Sequence, residues 1–478
     1  MKVFFDVVYT QRPSVCSTSY LVWELIEHLM KWRDDVFFYV TYPPSFWEFK
    51  EEREFLSRYP DRVTLIPFEA CSSDRVSEIF MLRNSLRGLL NPWSARTWDT
   101  DVVVSSRMPV LKHMMVHTGR QMGQKLRSPR MFIGLEEMPV LPFRDTVSWS
   151  DVLYPDTLMT YALTDATLIN NLWTKKALMP VLKEVLAASY QKKVLEKIHE
   201  VVPVKLQRLN LKKEMYQSGD FNVTFVGRIT GTRNFTEVAD LFRKQFSFPI
   251  GPHKADMKFL ISTNSQTTGA SDYGEIDFID MQMNDRPKFY EFLKHAHVAL
   301  NMSTVEDFSL TTYETLMAGV PVIVLDQPWN GFLGPSYPFR AKNFVEAYAM
   351  LSKFASSYAQ EYAKFRLWED TWWASFIAGP ANVTTGEKLQ ELLTSFETYR
   401  AGAMKEMGHS YVNVLKGIPD TGGKVDLQKY LTEKGSLRGE MKENFSLALA
   451  RTPSVLMLKF KAYEAGYKDT NATGVMAK

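Results

Sequence analysis

Residues 303–324 read STVEDFSLTTYETLMAGVPVIV, a stretch organised by two glutamates eight residues apart. An apolar run, His297–Met302, precedes it, and another, Val320–Leu325, closes it. Runs of that length bounded by turn residues read as buried strands. Leu310–Ala318 between them has helical spacing, with Ser309 in position to cap it. The unit is strand, loop, helix, turn, strand, which is the repeat of a parallel α/β sheet. Glu306 lies on the loop and Glu314 just over one turn into the helix. A helix start beyond a strand end offers backbone N–H groups and the positive end of the helix dipole, where a diphosphate fits. A carboxylate one turn along can accept hydrogen bonds from ribose hydroxyls. One on the preceding loop can do the same for a hexose. The plain structural alternative is a capped helix with two solvated glutamates.

The same alternation extends outward. Lys2–Tyr9, Val36–Thr41, Asp101–Ser105, Arg130–Leu135 and Thr167–Asn170 read as strands. A polar loop, Gln11–Ser19, and a helix, Tyr20–Lys31, follow the first of them. Trp173–Glu200 reads as one long helical stretch rich in Lys. Beyond it the pattern restarts, with strands Asn222–Val226 and Met257–Ser262 and helices Thr236–Gln245 and Arg286–His295. Polar residues around 203–218 separate the two patterns. The expected division is a first domain over 1–205, a second over 206–400, and a helical, slightly basic extension over 401–478.

Composition narrows the function classes. With 45% hydrophobic and 23% charged residues, the 478-residue chain is neither disordered nor fibrous. A net charge of +3 names no partner, and two cysteines exclude a disulfide framework. Cys16 reads as a small loop residue, and no metal-ligand spacing occurs. No apolar run reaches the length of a membrane span, and Asp6 interrupts the N-terminal apolar run. Asn222-Val-Thr and Asn301-Met-Ser match a glycosylation triplet, but both fall in expected strands and read as chance in a cytoplasmic protein.

A second motif lies upstream. Residues 225–234 read FVGRITGTRN. Gly227 allows a sharp turn off the strand. Arg228 and Arg233 put two cations in the stretch that follows the strand. Alone, such a loop reads equally as a surface ion pair.

Together, in this order, the motifs closely resemble the donor-binding signature of retaining family-4-type GT-B glycosyltransferases, of the glycogen synthase and phosphorylase superfamily. Looser similarity covers 163–176 and 290–302 and is diffuse over 1–400. The resemblance implies an α/β protein of two Rossmann-like domains facing a cleft, with a mainly helical C-terminal extension. It implies transfer from a nucleotide-diphosphate sugar with retention of configuration, with no obligatory cofactor or metal. Arg228 and Arg233 would hold the diphosphate beside Gly227. Glu314 would bind the ribose and Glu306 the transferred sugar. Backbone amides at Phe308, Ser309, Leu310 and Thr311 would complete the phosphate cradle.

Arg233 sits where a Lys is usual, and this sequence departs from the family in three further places. The first loop has no glycine, although small Ser14 and Ser17 leave room for a substrate. Asp307 stands where Gly is common and would touch the sugar. Glu136 and Glu137 follow the strand after which many relatives carry His. Carboxylates at a strand's C-terminal end sit at the usual ligand crevice and can take a proton from an acceptor hydroxyl. A solvated loop is the alternative.

The acceptor is the open question. Residues 401–478 hold 12 Lys and Arg against 8 Asp and Glu, so the chain's positive excess lies there. A basic helix at 452–466 would supply phosphate contacts to DNA, or its apolar stripe would pack on the body. Trp368–Trp373 would stack bases or fill a core. The expectations are a hydroxymethylated base in phage DNA, or a cell-surface glycan or small molecule. A non-catalytic nucleotide-sugar-binding relative and a nucleotide-sugar epimerase are the readings outside the transferases.

Overall fold

Two all-parallel sheets carry the chain. Short runs rich in Val, Ile and Phe, buried on both faces, favour this arrangement. The computed structural model describes residues 1–6, 17–42, 48–67, 100–106, 111, 115, 130–136, 160–161, 163–172, 174–185, 188–203, 205–209, 211, 215–217, 221–226, 234–238, 257–263, 277–280, 286–304, 306, 309–377 and 382–416. The first sheet comprises β1 (Lys2–Asp6), β2 (Phe37–Tyr42), β3 (Val63–Pro67), β4 (Val102–Ser105), β5 (Met131–Glu136), β6 (Ala166–Ile169) and β7 (Ile198–Glu200). Their spatial order is β3-β2-β1-β4-β5-β6-β7. The second comprises β8 (Phe221–Val226), β9 (Met257–Thr263), β10 (Asp277–Asp280), β11 (Val298–Asn301), β12 (Val322–Leu325) and β13 (Arg340–Ala341), in the order β10-β9-β8-β11-β12-β13. In each sheet the chain runs outward one way, returns past its first strand and continues the other way. That reversal falls between β1 and β4 and between β8 and β11. Ligands of such sheets bind beyond the strand ends at this point.

The helices are α1 (Ser17–Trp32), α2 (Lys50–Ser57), α3 (Thr174–Val185), α4 (Ala188–Lys197), α5 (Arg286–His295), α6 (Leu310–Met317), α7 (Phe344–Ser356), α8 (Tyr358–Trp372) and α9 (Thr385–Lys416). Two expectations need correction. Helix α1 begins at Ser17, inside the segment expected to be loop. The stretch Trp173–Glu200 is not one helical run. It holds α3 and α4 and ends in β7, where Ile198 pairs with Thr167 of β6. An open sheet edge and a β-branched residue outweigh helical periodicity there.

A hydrophobic core lies at each sheet. The chain leaves the first sheet through Val201–Leu209 and returns at 382–385. Val202 and Thr384 bridge in parallel. Asn382 grips Leu206 from both sides, accepting from its N–H at 3.2 Å and donating to its carbonyl at 3.0 Å. Helix α9 then lays Leu389, Leu393 and Phe396 into the core of the first sheet, against α1. Arg400 pairs with Asp101 at 2.6 Å, and Arg33 with Glu397. The helix runs unbroken through residue 400, where the sequence pattern was divided.

Trp368 and Trp372 are core residues. Both are buried and stack on one another, and their indole N–H groups donate to Leu333 and Phe332 carbonyls at 3.0 and 3.1 Å. Rings committed in this way are not available to stack on bases. No described helix is long and apolar enough to cross a membrane.

Candidate functional site

The strands that precede the two sequence motifs are neighbours at the reversal point of the second sheet. Strand β8 leads to Gly227 and Arg228, and β11 leads to Glu306. The strands are neighbours, with Phe225 opposite Leu300. Further along the chain, Asn234 donates through Nδ2 to the Met302 carbonyl at 2.8 Å. Asn234 has φ +53°, a left-handed conformation that Asn tolerates better than most residues. Residues on either side of 227–233, Phe225 and Asn234, are thus both bound to the segment 298–302 that leads to Glu306.

Glu306 itself is 4% exposed. The Ser303 hydroxyl lies 3.1 Å from its Oε1 and 2.6 Å from Asn301 Oδ1, two acceptors for one proton. The Ser303 carbonyl accepts from the Trp329 indole at 3.0 Å, which fixes the loop from above β12. Glu314 is also 4% exposed, so neither glutamate is the solvated surface group of the plain alternative. The Tyr290 hydroxyl on α5 donates to Glu314 Oε1 at 3.2 Å.

Helix α6 is held rigidly. Tyr313 stacks on Phe332 with ring centroids 4.1 Å apart, and burial pushes its phenol well above the ordinary range. At the far end Gly319, with φ +73°, makes the turn into β12, and its carbonyl accepts from the Tyr362 hydroxyl at 3.1 Å. Ser309 stands at the N-cap position but forms no side-chain cap. Its hydroxyl lies instead 3.0 Å from Asn301 Nδ2 and 2.8 Å from Thr312 Oγ1. Leu310 and Thr311 open the helix as the sequence predicts.

On the first sheet, Glu136 is the last residue of β5. At the reversal point of that sheet the Ser105 hydroxyl donates to the buried Asp6 carboxylate at 2.8 Å. Ser17 opens α1 rather than lying in a loop. Ser14, Glu137, Gly227, Arg228, Arg233, Asp307 and Phe308 lie outside the described residues, as do the helical expectations after residue 416. Among the described residues, no cluster of His, Cys, Asp and Glu is arranged to hold a metal.

Sequence reasoning missed Asn301, Tyr290, Thr312 and Trp329. Asn301 drew notice only as part of a glycosylation-like triplet. With 1% exposure, its side chain is closed to such modification in the folded chain. Asn222 of the other triplet sits in β8 and donates to the His295 carbonyl at 2.9 Å.

Paired parallel sheets of this strand order, with the crevice at the reversal point, define the GT-B fold of the glycosyltransferases. Sucrose-phosphate synthase (tll1590) from Thermosynechococcus elongatus matches with a TM-score of 0.57 at 12% identity, over 84% of this chain and 100% of that one. TarM matches at 0.53 and 10% identity, over 83% and 98%. A trehalose-6-phosphate structure from E. coli bound with UDP-2-fluoro glucose matches at 0.52 and 11% identity, over 83% and 98%. No family model matches the chain, and no curated protein matches it by sequence.

Proposed function

We propose that this protein is a retaining GT-B glycosyltransferase that moves a sugar from a nucleotide-diphosphate sugar to an acceptor hydroxyl. The observation that carries the reading is the pairing of β8 with β11, Phe225 opposite Leu300 and Asn234 bonded to Met302, which sets the strand before the Gly-Arg motif beside the strand before Glu306. Two glutamates that are both buried, one on the loop after β11 and one on the helix that follows, support this reading. The UDP-sugar analogue named with the E. coli neighbour supports the donor class.

In this reading Arg228 and Arg233 hold the diphosphate beside Gly227, and the amides of Phe308, Ser309, Leu310 and Thr311 complete the cradle. Glu314 takes the ribose, and Glu306 and Asp307 the transferred sugar. The bond between the anomeric carbon and the phosphate oxygen breaks, and one to the acceptor oxygen forms on the same face. The acceptor proton passes to the leaving phosphate. Charge grows on that phosphate in the transition state, and the cations stabilise it most there. Residues 1–205 present the acceptor, with Ser14 and Ser17 leaving it room and Glu136 and Glu137 beside it. Residues 206–400 hold the donor, and 401–478 form the extension.

For the acceptor we propose a hydroxymethylated base in DNA. The excess of Lys and Arg over 401–478 supports a polyanionic partner. The test is incubation with labelled nucleotide sugars, and with hydroxymethylated DNA or a glycan panel. Release of free nucleoside diphosphate only when acceptor is added supports a transferase. Label on glycans and none on DNA overturns the acceptor assignment. No donor turnover with any acceptor favours a non-catalytic binding protein.

A further inference from the structure

We propose that Asn301 is a positioning residue that keeps the first turn of α6 open to an anion, by holding the Ser309 hydroxyl out of the helix cap. The inference rests on the donor-site reading above. Asn301 ends β11 and is almost wholly buried. Its Nδ2 reaches Ser309 Oγ at 3.0 Å and Thr312 Oγ1 at 2.7 Å. Its Oδ1 accepts from the Ser303 N–H at 3.1 Å and the Ser303 hydroxyl at 2.6 Å. Two donors and two lone pairs are the full capacity of a side-chain amide, and all are used.

A serine at an N-cap ordinarily turns its oxygen onto the N–H of the second or third helical residue. Ser309 does not, because Asn301 and Thr312 engage that oxygen. The N–H groups of Leu310, Thr311 and Thr312 have no acceptor among the described residues. Leaving helix-start donors unpaired costs stability, and a phosphate at the site supplies the missing acceptor. The same amide holds Ser303, whose hydroxyl touches Glu306. One buried side chain therefore sets both the phosphate-facing turn and the loop of the sugar-facing carboxylate.

A purely structural role for Asn301 predicts that any further loss at Ser309 adds damage. The proposal predicts the opposite. In Asn301→Ala the freed Ser309 hydroxyl caps the helix and competes with phosphate. Inorganic pyrophosphate, titrated calorimetrically against the full chain, should then bind about five-fold more weakly, the worth of one cap. In Asn301→Ala with Ser309→Ala the competitor is gone, and affinity should return close to wild type. Amide hydrogen exchange over 309–316 should slow in the single variant and recover in the double. If Asn301→Ala does not fold, the near-isosteric Thr312→Val removes one anchor of Ser309. It should show the same loss, smaller, and the same rescue. A folded single variant that binds pyrophosphate like wild type, or a double variant no better than the single, overturns the proposal alone. Wild-type protein that binds neither pyrophosphate nor any nucleoside diphosphate overturns the donor-site reading as well.

Discussion

The Tyr290 hydroxyl donates to Glu314 Oε1 across 3.2 Å, which joins α5 to the carboxylate on α6. The bond links two elements that follow different strands, β10 and β11, so it forms only in the assembled sheet. It fixes the orientation of a buried carboxylate that we assign to the ribose.

Glu314→Ala should therefore weaken nucleoside diphosphate binding by about 10- to 100-fold, the worth of a charge-assisted hydrogen bond, while the fold survives. Tyr290→Phe should cost less and should narrow the preference for ribose over deoxyribose nucleotides. Calorimetric titration with ribo and deoxy pairs checks both. Unchanged affinity in Glu314→Ala removes the assignment.

Arg228→Ala and Arg233→Ala should each lower kcat by about 10²- to 10³-fold, with little change in melting temperature. The cations act on charge that is greater in the transition state than in the bound donor, so kcat falls more than donor affinity. Single-turnover rates beside thermal melts test this. Near-normal turnover in both variants would reduce the motif to a surface loop.

What could be read from the residues was what local chemistry dictates. Runs such as Val298–Asn301 and Val322–Leu325 are short, apolar and bounded by turns, so their strands and the helix between them were legible. The order of the two motifs was legible for the same reason. β13 was not, because its two residues become a strand only by pairing with Val324 and Leu325. Asn301 was equally silent, since its role needs Ser309 and Thr312, which α6 brings back over the strand end. The return of α9 to the first core also escaped notice. Helical periodicity says that Leu389, Leu393 and Phe396 share a face, but not which sheet they cover.

That return predicts a sensitive contact. A Cβ on Gly386 would lie 2.9 Å from His28 Cγ and 3.0 Å from its Cδ2. The ring cannot simply swing away, because His28 Nε2 is held 3.1 Å from Gln390 Oε1. Gly386→Ala gains at most about 1 kcal/mol in helix propensity, and less so near a helix start. Overpacking a well-filled contact costs about 1–3 kcal/mol. The variant should therefore be destabilised, and His28→Ala in the same chain should recover part of the loss. Urea denaturation of wild type and the two variants measures this, and a more stable Gly386→Ala would show that α9 sits less tightly on α1.

The last prediction concerns pH. His199, on β7 beside the start of α9, has its imidazole pushed down from the ordinary 6.5 to about 4, first by burial and then by Lys388 and Lys175. Between those two values the unfolded chain binds a proton at this residue and the folded chain does not. Stability therefore rises with pH across that window, and is lost as pH falls through it. Above the unfolded value both states are neutral and the contribution is constant. His199→Asn removes the titration, so the stability of wild type relative to the variant should grow between pH 4 and 6.5 and then level off. Lys388→Gln should shrink that slope, since it takes away one of the two lysines that oppose protonation. Melting wild type and both variants in a buffer series tests the sign directly. A difference that stays flat through this window, or runs the other way, would mean that His199 carries its proton in the folded chain.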